Sequence, residues 1–426
     1  MKDKKWDLAA LASIPLIMTL GNSALIPILP QIGKKLGVST FQVSMLITVY
    51  AVVAIILIPI AGYLSDRFGR KAIIIPSLAI AAIGGAISGL AAWFMTDGAA
   101  YWTIIGGRLL QGIGAAGAFP IVIPLVGDMF DDEKEVSASL GIIETSNTFG
   151  KVLSPIIGAA LGAWLWYSPF LMIPTLCIIS LLLVIFLVRT PKKHKEVPPL
   201  RQFLRSLKEV MVEKGRWLYA IFAVGCICMF VIFGVLFYLS EILESKYGID
   251  GITKGFVLAI PLAMLCLSSF VSGKIIGSHK SRMKWIGFIG LVILTAALFT
   301  MGFSKSIYYV VGVFTVGGIG IGATLPCLDT LITEGVEKEH RGTITSLFSS
   351  MRFIGVSLGP PIISLLLNTS HFVLFSILAG VAAVGALLTL FAIKPKQNEG
   401  TGSGKNTGSK HYRLGGKSFI RIKRKA

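Results

Sequence analysis

The chain has 426 residues, of which 54% are hydrophobic and only 14% charged. Soluble domains carry about 25% charged residues, so a chain of this length with a mean hydropathy of +0.79 cannot coat a water-facing surface. Lipid must be its main solvent. The net charge of +19 would suggest nucleic acid in a soluble protein, but the placement of the cations decides otherwise.

A hydrocarbon core of about 30 Å takes about 20 apolar residues per helix. Such runs occur near 8–30, 42–61, 72–94, 101–126, 136–163 and 168–188, then near 217–240, 254–276, 285–303, 307–330, 343–367 and 371–393. The short basic start leads into an apolar stretch that continues to Pro30, too long for the core of a cleaved leader, so it reads as the first span. Twelve spans put both termini on one side. With the termini in the cytoplasm, 32 of the 40 Lys and Arg fall in cytoplasmic segments and only Lys34, Lys35, Lys246, Lys254 and Lys305 in outer loops. The positive charge is therefore a topology signal, helped by attraction to anionic lipid. The partner it implies is the bilayer of the inner membrane, not nucleic acid.

The longest internal loop, 189–216, separates an N-terminal half, 1–188, from a C-terminal half, 217–394. Within it, apolar residues from Leu200 to Met211 recur at helical spacing with cations between them, the pattern of a helix lying on the membrane face. The tail, 395–426, is rich in Gly, Ser and Lys and is expected to be disordered. A shift of 205 residues places Gly112 on Gly317, Gly117 on Gly322, Gly150 on Gly355 and Pro155 on Pro360, as duplication of a half would.

Between the second and third spans stands Gly62-Tyr-Leu-Ser-Asp66-Arg67-Phe-Gly69-Arg70-Lys71. Gly62 allows helices to approach, Asp66 can bond a helix N-terminus or an arginine, and Arg67 seeks a carboxylate. Asp128, at the inner end of the fourth span, is the expected partner. Such a cluster can act as a latch that holds one conformation and releases in another. The loop resembles the signature loop of the major facilitator superfamily, and the resemblance covers about 8–393. It implies an all-α membrane protein with twelve transmembrane helices in two pseudo-symmetric six-helix bundles, rocking about a central site. The corresponding loop of the second half, Gly273 to Arg282, has no acid, so a latch is expected only in the first.

Two further motifs refine the resemblance. Arg108-Leu-Leu-Gln111-Gly112 is similar to the superfamily motif of the fourth span, and it implies a part in proton transfer for Arg108. A guanidinium at that depth must face a cavity, find a partner or snorkel to the interface. Gly141, Gly150, Ser154, Pro155 and Gly158 resemble the antiporter motif of the twelve-span drug/proton exporters, with Ser154-Pro155 where Gly-Pro is usual; Gly359-Pro360 keeps the pair in the second half. This motif implies export. The small residues permit close helix packing and the proline bends the helix.

Ionisable residues inside spans are functional candidates. Glu144 and Lys151 lie seven residues apart on one helix face, and Arg352 aligns with Asn147 under the repeat. Glu144 can carry a proton or sit in an ion pair with Lys151 or Arg352. Counting Arg108, Lys151 and Arg352 against Glu144 leaves +2, while the first span offers only Asn22, so the cavity suits anionic or zwitterionic amphiphiles. Asp329 can offset one charge or lie at the interface. Phe119, Met229, Phe230, Phe233, Phe237 and Tyr238 can line an apolar pocket or simply pack. His279, His340 and His371 fall in loops.

The cysteines, Cys177, Cys226, Cys228, Cys266 and Cys327, sit in apolar runs without C-x-x-C spacing, which points to packing rather than zinc or disulfides. No HExxH, phosphate-binding loop or paired-Asp motif appears. The expected protein uses no cofactor or metal, has no catalytic residue, and is a monomer that exchanges protons for a small amphiphile. Two alternatives stay open: an import symporter for a small anionic solute, and a membrane-embedded lipid-modifying enzyme.

Overall fold

The computed structural model describes residues 4–130, 133–189, 200–276, 280–336 and 338–393. The tail, His279 and most of the linker's side chains lie outside them. The described chain is almost wholly helical. The first half comprises α1 (Lys5–Ser23), α2 (Leu29–Leu36), α3 (Thr40–Phe68), α4 (Arg70–Phe94), α5 (Asp97–Met129), α6 (Glu133–Trp164) and α7 (Ser168–Leu187). The second comprises α8 (Leu200–Ser245), α9 (Gly251–Ile276), α10 (Lys280–Met301), α11 (Ile307–Gly335), α12 (Lys338–Leu366) and α13 (His371–Phe391).

Local sequence sets these boundaries. Pro27 and Pro30 cannot donate to a helical ladder, so the expected single first span breaks after Ser23 into a 3-10 turn, Ile26–Ile28, before α2 resumes. Gly37 ends α2 at φ 64°, and a reciprocal capping box between Ser39 and Gln42 starts α3. Within α8, Gly215 sits at φ 32° and ψ −115°. The linker helix and the seventh span are thus two helical pieces joined at a glycine.

Among the described residues, eleven helices are long and apolar enough to cross a membrane. The twelfth, α6, is 32 residues long but carries Glu144, Asn147 and Lys151 along one face. A span of that kind tolerates its polar face only against protein or a cavity, and α6 accordingly packs on α1 and α9.

Within the first half α4 packs on α5 and α7, α3 on α5, and α1 on α6 and α7; within the second α10 packs on α11 and α13, α9 on α11, and α8 on α12 and α13. The halves meet chiefly through α3 against α12 and α6 against α9. Since α3 repeats as α9 and α6 as α12, these two seams are the same contact made twice about a pseudo-two-fold axis.

The repeat register is only partly the expected one. In α6 and α12 the 205-residue shift holds: Gly150 lies against the Leu16 carbonyl of α1, and Gly355 against the Cys226 carbonyl of α8. In α5 and α11 it fails. Gly112 packs on Tyr50 of α3, whereas Gly317 packs on Leu294 and Ala297 of α10. It is Gly318, against Pro261 of α9, that occupies the place of Gly112, so this helix pair is offset by one more residue.

Candidate functional site

The expected residues divide into four groups. In the first, Arg108 is fully buried well inside α5. Its Nε donates to the Leu46 carbonyl at 2.8 Å, one terminal nitrogen to Gln111 and the other to the Asn22 Oδ1. Its guanidinium also stands 4.6 Å from the centre of the Tyr50 ring. Snorkelling is therefore excluded. Every partner is neutral, so the charge is solvated by dipoles and a π face rather than cancelled by an acid.

The second group lies where α6 meets the other half. Glu144 is half-buried and accepts from Asn147 Nδ2 at 3.2 Å, while Thr19 of α1 donates to the Asn147 Oδ1. Arg352 pairs with Asp329 of α11 at 3.6 Å and lies 5.7 Å from the Phe348 ring. Neither ion pair expected for Glu144, with Lys151 or with Arg352, forms among the described residues. The amide of Asn147 is a nearer partner for Glu144, and Asp329 takes Arg352 instead of lying idle at the interface. Three embedded cations thus face two acids, leaving +1 where the sequence count had left +2.

Lys151 is 8% exposed and borders a narrow cleft between the halves. Ser23 and Ser154 line it from the first half; Phe233, Leu236 and Leu258 line it from the second. The space inside it is only about 10 Å³, about what one water needs, so the cleft is nearly closed in this conformation. Of the aromatic candidates only Phe233 reaches it. Met229, Phe230, Phe237 and Tyr238 are buried in packing.

The third group is the loop joining α3 to α4. Gly69 adopts φ 99°, a conformation that favours glycine, and so turns the chain within one residue. Gly62 lies where α3 passes Ser346 of α12. The cation that meets Asp128 is Arg70, not Arg67: its Nε donates to Asp128 at 3.2 Å, and its terminal nitrogens reach Asp66 and Ser65 Oγ. Arg67 instead lies over Phe68, 5.5 Å from the ring centre. The reason is positional. Arg70 opens α4, which packs along α5, whereas Arg67 ends α3 and turns outward.

The antiporter-type glycines form the fourth group. A methyl on Gly158 would land on the carbonyl of Ala24, the residue that caps α1, and one on Gly359 would come 2.9 Å from the Gly234 nitrogen of α8. Ser154 is fully buried, its hydroxyl donating to the Lys151 carbonyl at 3.0 Å, and Pro155 approaches Gly255 of α9. Pro360 lies inside α12, where Pro155 lies inside α6. Gly141 is exposed with nothing near it, so no close approach requires it.

Sequence reading missed a cluster at the far end of the bundle. Lys34 of α2 reaches Glu244 of α8 at 2.7 Å, and Lys254 of α9, 1% exposed, reaches the same carboxylate at 3.0 Å. Ser240 donates to the Ile26 carbonyl beside it at 2.7 Å. Lys34 and Lys254 had counted only as loop cations. The available signal was Glu241 and Glu244 one turn apart at the end of an apolar run. His371, expected in a loop, opens α13 and bonds Tyr238 and the Met301 and Ser304 carbonyls.

Twelve long helices in two pseudo-symmetric halves, with a charged turn after α3 and polar groups buried between the halves, define a membrane transporter of the alternating-access kind. The chain belongs to the Major Facilitator Superfamily, whose sequence profile matches residues 11–360 and 284–424. It is 53% identical over 395 residues to the bacillibactin exporter of Bacillus subtilis, covering 92% of this chain and 98% of that protein. It is also 25% identical to the class C tetracycline resistance protein of Escherichia coli, over 81% and 85% of the two chains. Among solved structures it superposes on the D-xylose-proton symporter with a TM-score of 0.74 at 14% identity, covering 91% and 97%. The human organic anion transporter MFSD10 gives a TM-score of 0.71 at 14% identity, covering 91% and 99%. These last two share the fold; the direction of transport does not follow from them.

Proposed function

We propose that the chain exports a small amphiphilic, siderophore-like compound across the inner membrane in exchange for protons moving inward. The observation that carries the reading is the 53% identity to a bacillibactin exporter along 92% of the chain. The antiporter-type packing of Gly158 and Gly359 is consistent with it. The termini lie in the cytoplasm, the protein works as a monomer, and it moves its substrate without chemically changing it.

Glu144 exchanges the proton, since it lies within α6, a helix of the α6–α9 seam, and its hydrogen-bond partner, Asn147, is uncharged. Arg108 holds α1, α3 and α5 together through Asn22, Leu46 and Gln111. The halves rock on the α3–α12 and α6–α9 seams, with the Asp66–Arg70–Asp128 cluster latching the cytoplasmic end. Inside-out vesicles supply the test. Uptake of a catecholate siderophore should follow an imposed proton gradient and stop when a protonophore collapses it. Uptake that ignores the protonophore would overturn the proposal.

A further inference from the structure

We infer that Lys151 is the anchor for one anionic group of the transported molecule, a carboxylate or a phenolate, and that this single ammonium sets a preference for anions over neutral amphiphiles. The inference rests on the export reading for the statement that the α6–α9 cleft receives substrate.

The buried charges differ in their partners. Arg108 has Asn22, Gln111 and the Leu46 carbonyl. Arg352 has Asp329. Glu144 has Asn147. The Lys151 ammonium has neither a hydrogen bond nor an ion pair among the described residues, although its side chain is more than nine-tenths buried. A buried, unpaired ammonium is costly unless something supplies an acceptor.

The neighbours do not supply one. Ser154 turns its hydroxyl to the backbone carbonyl of Lys151 itself. Glu144 and Asp329 are within electrostatic reach of the ammonium, as is Arg352, which repels it. Both acids already hold other partners; Cys266 of α9 is near, and Ser23 lines the same cleft without a hydrogen bond to the ammonium. What faces Lys151 across the cleft is Phe233, Leu236 and Leu258, a wall suited to an aromatic ring or acyl chain rather than to a second charge. A ligand with an anion beside an apolar ring would satisfy both surfaces at once.

The position also suits the role. Lys151 belongs to the first half and the apolar wall to the second, so one bound molecule touches both bundles at the seam about which they move. The cleft is narrow in this conformation, so it admits the anionic ring only as the halves part.

The test uses two fluorescent probes of one size, dansylglycine, which is anionic at neutral pH, and dansylglycinamide, which is neutral. They are titrated into the purified full chain in lipid nanodiscs. A charge-assisted hydrogen bond contributes about 1.5–3 kcal/mol, so wild type should prefer the anion by about tenfold or more. Lys151→Gln should bring the two affinities together by weakening only the anion, and Lys151→Arg should restore the preference. Three results would overturn the proposal: wild type without an anion preference, Lys151→Gln keeping it, or Lys151→Gln weakening both probes equally. Binding is read without transport, so loss of proton-driven export beside intact Lys151-dependent anion binding would strike the export reading and leave this one standing.

Discussion

Lys34 of the first half and Glu244 of the second are joined at 2.7 Å, across the end of the bundle opposite the Arg70 cluster. The same carboxylate neutralises Lys254, which is 1% exposed. The two lysines therefore differ in what they lose with Glu244. Lys34 is mostly solvated, and an exposed pair is worth at most about 1 kcal/mol. Lys254 would be left buried and unpaired, a loss of about 3–5 kcal/mol. Glu244→Gln is expected to lower Tm far more than Lys34→Gln does, while both loosen this end by breaking the pair between the halves. Maleimide labelling of a cysteine placed at Ile26, in a cysteine-free background, reads the opening. Labelling in both variants no higher than in wild type would show that the cluster does not hold the halves together.

The Arg70 cluster makes a prediction that separates two neighbouring arginines. Arg70 binds Asp66, Ser65 and Asp128, while Arg67 has the Phe68 ring. Charge-assisted hydrogen bonds are worth about 1.5–3 kcal/mol each. Arg70→Ala should lower the transport rate by about tenfold or more, with Arg67→Ala close to wild type. Initial rates in the same vesicles check this, and the reverse order would restore Arg67 as the latch.

Glycines of the antiporter-type motif should not respond alike. Gly158→Ala drives a methyl into the Ala24 carbonyl, and overpacking of this sort costs about 1–3 kcal/mol. Gly141→Ala meets open space and carries only the general gain of Ala over Gly in a helix. A lower Tm for Gly158→Ala, with Gly141→Ala at or above wild type, is the expected outcome in detergent. A harmless Gly158→Ala would mean that α1 and α6 are not in close contact there.

Arg108 should tolerate no substitute. Lysine keeps the charge but not the planar fork that serves Asn22, Leu46 and Gln111 together. Arg108→Lys is expected to abolish transport and to lower Tm, and Asn22→Ala to cost about 1–3 kcal/mol by leaving a buried donor unpaired. Full activity in Arg108→Lys would show that charge alone matters.

The fold was legible because its signals are long and redundant. Twelve apolar runs, lopsided loop charge and a ten-residue loop pattern each span enough chain to outweigh local error. The first span runs from Lys5 to Leu36 as a single span, but its helix is interrupted, which hydropathy misses because it does not register that Pro27 and Pro30 remove backbone donors. The site was less legible, since pairing depends on directions a sequence does not contain. Arg67 and Arg70 are three residues apart, yet one ends α3 and the other opens α4. Asp329 could be matched to Arg352 only once α11 and α12 were side by side. The Glu244 cluster joins residues 210 apart, and nothing in either segment names the other. The repeat shift failed in α5 and α11 because glycines are frequent enough there to match in two registers.

The central claim is that protons and substrate move in opposite directions through one site that includes Glu144. The most direct measurement reconstitutes the protein in liposomes loaded with a pH-sensitive dye, imposes a proton gradient and adds a catecholate siderophore, comparing wild type with Glu144→Gln. The account predicts substrate-dependent proton movement in wild type and its loss in the variant, with the folded yield unchanged. Equal proton movement in both proteins would contradict it and leave Glu144 as a structural partner of Asn147.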